Sequence, residues 1–167
     1  MRPEELHTFS AKHLHYEIDM CYQAATLLPS AAPENVLNNV LVESYALHLR
    51  NLIEFLYWSP TRDDVNAVHF VKSKTEWWSS RGAIPEVLAT AKIRADKQIA
   101  HLTKKRFADG APEKNWTPGT EIAALVDGLR LFLRHADPNR LHPVVLKLSL
   151  GSQRSCPQRR RGPARGC

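Results

Sequence analysis

The sequence predicts an all-α protein: an antiparallel four-helix bundle with a short extra helix and a disordered basic C-terminal tail. Three observations carry this. Four segments of roughly 20 residues place apolar side chains three and four positions apart, the period of a helix that buries one face. Proline- and glycine-bearing breaks separate the segments. A chain of 167 residues with 43 % hydrophobic content can close such helices around one core.

The first helix is expected over residues 4–28, where Leu14, Ile18, Cys21, Ala25 and Leu28 form an apolar stripe and Pro29 and Pro33 stop it. The second runs over 34–58. Its broad apolar face, Val36, Leu37, Val40, Leu41, Leu47, Leu52, Phe55 and Leu56, makes it the central helix. Polar residues interrupt that face: Glu43, Ser44, His48, Arg50, Asn51 and Glu54. Arg50 and Glu54 stand four apart, and Glu43 lies two turns before Arg50, so an ionic network is expected there.

Ser59-Pro60-Thr61-Arg62-Asp63-Asp64 marks a stop, and a short helical piece should follow over Val65–Val71. Residues 72–82, with Trp77-Trp78, read as a loop. Adjacent tryptophans there either fold back onto the domain edge or form an exposed anchor for a partner. Pro85 suits the first turn of the third main helix, expected to run to about Arg106 and to break at Asp109-Gly110-Ala111-Pro112. Thr117 or Thr120 should cap the fourth. Its stripe of Ile122, Leu125, Val126, Leu129, Phe132 and Leu133 is the most regular in the chain, and Asp137-Pro138 ends it. Leu141–Leu150 is short and apolar, the pattern of a strand-like arm.

The domain organisation follows from composition. The net charge is +6, and Arg154, Arg159, Arg160, Arg161 and Arg165 supply five of those charges within residues 151–167, which contain no acid. Residues 1–150 are therefore close to neutral and form one helical domain, and the remainder reads as a disordered tail. Cys21, Cys156 and Cys167 fit neither a zinc site nor a disulfide framework. No apolar run is long enough to cross a bilayer, and no signal-peptide core follows Met1, so a soluble, cytoplasmic protein is expected.

Several chemistries lack their residues. Glu4-x-x-His7 has the spacing of carboxylate-bridged metal bundles but no second copy, and no His-Glu-x-x-His is present, so no metal is expected. Phosphate loops, dinucleotide fingerprints and Gly-x-Ser-x-Gly are absent, so no cofactor is expected either.

The stretch Lys92–Arg106 carries the remaining chemistry. Arg94 and His101, two turns apart, share a helix face, and such a pair binds phosphate and moves protons. A four-helix bundle with an arginine, six residues and a histidine resembles the HEPN superfamily, many of whose members are metal-independent ribonucleases of bacterial defence and toxin–antitoxin systems. That resemblance implies His101 as acid/base at the ribose 2′-OH or leaving oxygen, Arg94 as the clamp on phosphate charge, and a homodimer with a composite site on RNA. Glu43, His48, Arg50, Asn51 and Glu54 would support the pair. The alternative is a structural bundle that dimerises or binds a protein partner, with Arg94 and His101 in a buried polar network.

Overall fold

The computed structural model describes residues 1–32, 35–61, 63–99, 116 and 118–148. They form an all-α helical bundle of α1 (Pro3–Phe9), α2 (His15–Leu27), α3 (Val36–Tyr57), α4 (Lys74–Arg81), α5 (Glu86–Ile99), α6 (Gly119–His135) and α7 (Pro143–Leu146). α1 and α2 are one continuous helix interrupted by a wider π turn at Ser10–Leu14. The tail and the expected continuation of α5 to Arg106 lie outside the described residues.

α3 is the axis, as its sequence implies. Asn35 caps it, accepting from the Leu37 amide at 3.2 Å. Tyr45, Ala46, Leu49, Leu52, Ile53, Phe55 and Leu56 are buried between α2, α5 and α6. Each large side chain among them contributes about 1.5–3 kcal/mol by leaving water. α2 supplies Ile18, Cys21 and Ala24 to the core, and α6 supplies Leu125, Val126, Leu129 and Phe132. Gly128 lets α6 approach α3 closely: a Cβ there would stand 3.0 Å from Tyr57 Oη and 3.1 Å from Leu56 Cδ1.

Five expectations need correction. Val36, Leu37, Val40 and Leu47, expected in the core, are exposed, because the described elements cover only the other half of that α3 face. Residues 72–82 are not a loop. Ser73 caps α4 by accepting from Glu76 N–H at 3.3 Å, and Gly82 ends the helix at φ +65°. Trp77 is buried against Phe132, folded back onto the domain, while Trp78 stays exposed. Leu141–Leu150 is not strand-like: it contains α7, whose start His142 caps by accepting from the Val144 amide at 3.1 Å. Thr120 lies inside α6 rather than at its cap, a place taken by Pro118; Thr117 lies outside the described residues. The helical piece at Val65–Val71 is shorter than expected, a single 3₁₀ turn at Ala67–His69.

Candidate functional site

The polar residues of α3 divide between two neighbouring helices. On the α2 side, Glu17 Oε2 lies 2.8 Å from His48 Nδ1 and accepts from Asn51 Nδ2 at 3.1 Å. The His48 side chain is 8 % exposed, and the Tyr16 ring stands edge-on to its imidazole at 5.5 Å. One carboxylate oxygen thus serves two α3 side chains one turn apart, which fixes the register of α2 on α3.

On the α5 side four charges close a ring. Arg50 Nε donates to Asp96 Oδ1 at 2.5 Å, and its Nη2 lies 3.0 Å from Glu54 Oε1. Lys92 Nζ reaches Glu54 Oε1 at 3.2 Å and Asp96 Oδ2 at 2.7 Å. Each helix contributes one i, i+4 pair, and the two pairs cross-link the helices with no net charge. Lys92 also sits over the Trp58 ring, 4.7 Å from its centroid. Burial works to raise the Asp96 pKa, but hydrogen bonds from Lys92 and Arg50 outweigh it and hold the carboxyl below its usual range.

Arg94 occupies a different face of α5. Its guanidinium carbon stands 4.3 Å from the centroid of the buried Trp116 ring, which in turn meets Tyr45 edge-on at 5.6 Å. Arg94 lines a cleft of about 360 Å³ together with Glu86, Val87, Thr90, Ala91 and Glu121. Glu121 is buried in the first turn of α6, where the helix dipole favours a carboxylate, and it accepts from Thr120 Oγ1 at 3.3 Å. Two carboxylates and one guanidinium leave the described walls negative by one charge. Burial, reinforced by Glu121 and Cys21, pushes the Tyr45 hydroxyl far above its ordinary pKa, so it stays protonated.

The described members of the expected set divide among separate contacts. Arg94 is on the cleft wall, His101 lies outside the described residues, and Glu43 is exposed on α3. His48 and Asn51 face Glu17, whereas Arg50 and Glu54 face Asp96 and Lys92. Glu17, Lys92, Asp96, Trp116 and Glu121 were not singled out from the sequence. For Lys92 and Asp96 a signal existed, since they are an i, i+4 pair mirroring Arg50 and Glu54. Among the described residues no group of three or more histidine, cysteine or acidic side chains is placed to hold a metal ion, and no helix is long and apolar enough to cross a membrane. In comparison with known proteins, no family model, no curated protein and no solved structure matches this chain.

Proposed function

We propose that this chain is a HEPN-like helical bundle that works in the cytoplasm as a non-enzymatic interaction module for a protein partner, with its interhelical charges as scaffold. The observation that carries this reading is the commitment of the α3 polar residues: Glu17 holds His48 and Asn51, and Asp96 and Lys92 hold Arg50 and Glu54. Groups so engaged hold helices together rather than move a substrate's protons. The exposed Trp78, anchored by its buried neighbour, is the kind of rigid aromatic that protein partners bury. The test is incubation of the full chain with total RNA in excess EDTA, beside Arg94→Ala and His101→Ala. Intact RNA in all three samples is expected. Cleavage that survives chelator and is lost in both variants would sink the non-enzymatic reading.

One observation favours a second reading, a metal-independent ribonuclease acting as a dimer: Arg94 stands on a cleft wall, steadied by the Trp116 ring. In that reading His101 takes the proton of the ribose 2′-OH as its oxygen attacks phosphorus. The P–O5′ bond breaks, the leaving oxygen takes a proton from water, and Arg94 stabilises charge on the phosphoryl oxygens. Glu86 and Glu121 on the same walls repel a polyanion, which places this reading second.

A further inference from the structure

Three of the described histidines make hydrogen bonds through Nδ1, and each bond answers a proton differently. His48 Nδ1 lies 2.8 Å from Glu17 Oε2, a carboxylate that accepts from an imidazolium. His69 Nδ1 has the Asn66 amide at 3.1 Å and the Asn66 carbonyl oxygen at 3.2 Å, so a protonated ring exchanges one partner for the other. His142 Nδ1 faces a donor alone, the Val144 amide at 3.1 Å. That bond needs a lone pair on the nitrogen, so the ring is neutral with its proton on Nε2.

The surroundings of His142 are weighted toward positive charge. On α1 the His7 ring stands 4.7 Å from the His142 ring, centroid to centroid, where two imidazolium ions repel. The acids of α1 are Glu4, which is exposed, and Glu5, which is paired with Arg2. The π turn, which packs on α7, brings Lys12 and His13, the latter with its ring 4.9 Å from that of Phe9. On its own segment His142 is flanked by Lys147 and by Arg140, which is bonded to Asp137, His69 O and Val71 O. Among the described residues the carboxylate that pairs with a histidine is Glu17, and its partner is His48.

We propose that His142 is a pH-dependent latch, whose protonation releases α7 from the bundle. Two bonds hold the start of α7: His142 N donates to Ser10 Oγ at 2.9 Å, and Val144 N donates to His142 Nδ1. Acid removes the second bond and sets two cations ring to ring. α7 has four residues, too few to persist as a helix on its own, so it lifts away once its cap is lost. Val145, fully buried, is then bared beside the π turn, while α3 keeps its contacts with α2, α5 and α6. This inference does not rest on the functional reading above.

The direction follows from proton linkage. An unconstrained imidazole binds its proton near pH 6.5. The open form takes up a proton that the latched form excludes, so the latch is complete above that pH and weakens as pH falls below it. One such proton raises the opening constant by up to about thirtyfold between pH 7.5 and pH 5.0.

The test follows amide hydrogen exchange of the full chain, corrected for intrinsic exchange, from pH 7.5 to pH 5.0. The parent is compared with His142→Asn, whose side-chain oxygen caps without titrating. In the parent the opening constant at Val144–Leu146 is expected to rise at least about tenfold, and that at Leu52 less than about twofold. In the variant both should stay within about twofold. A flat parent, an equal rise in the variant, or an equal rise at Leu52 would overturn the inference. If the variant does not fold, the ring is read directly in the parent by long-range imidazole nitrogen–proton correlation at pH 7.5. The Nε2–H tautomer is expected for His142; the Nδ1–H tautomer or an imidazolium would overturn the latch.

Discussion

Glu17 on α2 and His48 on α3 meet at 2.8 Å, Oε2 to Nδ1, with the imidazole almost sealed from solvent and Asn51 sharing the same oxygen. Removing the carboxylate leaves two α3 polar groups facing a gap. Glu17→Ala should therefore cost about 1–3 kcal/mol, the desolvation penalty of a stranded buried polar group. Glu17→Gln, which keeps an acceptor oxygen, should lose clearly less. Urea unfolding of the two variants beside the parent checks this, and equal losses would show that side-chain packing rather than hydrogen bonding matters there.

The ionic ring makes stability depend on pH in the acid range. Asp96 is held below its ordinary value in the folded state and returns to about 3.9 when unfolded. A carboxyl depressed by folding contributes stability above its unfolded pKa and loses it as pH falls through the folded pKa. At pH 7 Asp96→Asn should cost about 1 kcal/mol or less, because the side chain is 35 % exposed and the pair is screened. The variant's urea midpoint should then fall less than the parent's between pH 7 and pH 3. A parallel fall in both proteins would remove Asp96 from the acid response.

Helix periods were legible wherever a helix buries a full stripe. α6 reads directly from Ile122 to Leu133, and α3 from its run of apolar residues. Period shows which face is apolar and not what covers it, so Val36, Val40 and Leu47 were expected in the core on the same grounds as Leu52 and Leu56. α4 is too short for a stripe, since Trp77 alone is buried, although Ser73-x-x-Glu76 is a capping signal that was overlooked. At the candidate site the Arg50–Glu54 pair was visible because it lies within one helix. Glu17 was not, because its partner His48 is 31 positions away and only tertiary packing joins them.

The adjacent tryptophans should separate by mutation. Trp77 is 1 % exposed and packs edge-on to Phe132 at 6.1 Å, so Trp77→Ala should cost about 3–5 kcal/mol through the cavity it leaves. Trp78 is 49 % exposed on the same short helix, and Trp78→Ala should change stability by about 0.5 kcal/mol or less. Thermal melts followed by circular dichroism read both values. A large loss from Trp78→Ala would mean that its exposed face is already covered in solution, as partner binding through Trp78 by a second copy requires.

Ser10 opens the π turn between α1 and α2 and is fully buried there. Its hydroxyl donates to His7 O at 2.8 Å and accepts the His142 amide at 2.9 Å, joining residues 132 positions apart. The widened turn aims this hydroxyl at α7, and the His7 and His142 rings close the contact at 4.7 Å. Ser10→Ala strands the part-buried His142 amide and should cost about 1–2 kcal/mol. The loss should fall mainly on α7, so hydrogen exchange at Val144–Leu146 should accelerate more than at the α3 core around Leu52. Equal acceleration at both would make Ser10 a support of the whole bundle, not a latch for its C-terminal turn.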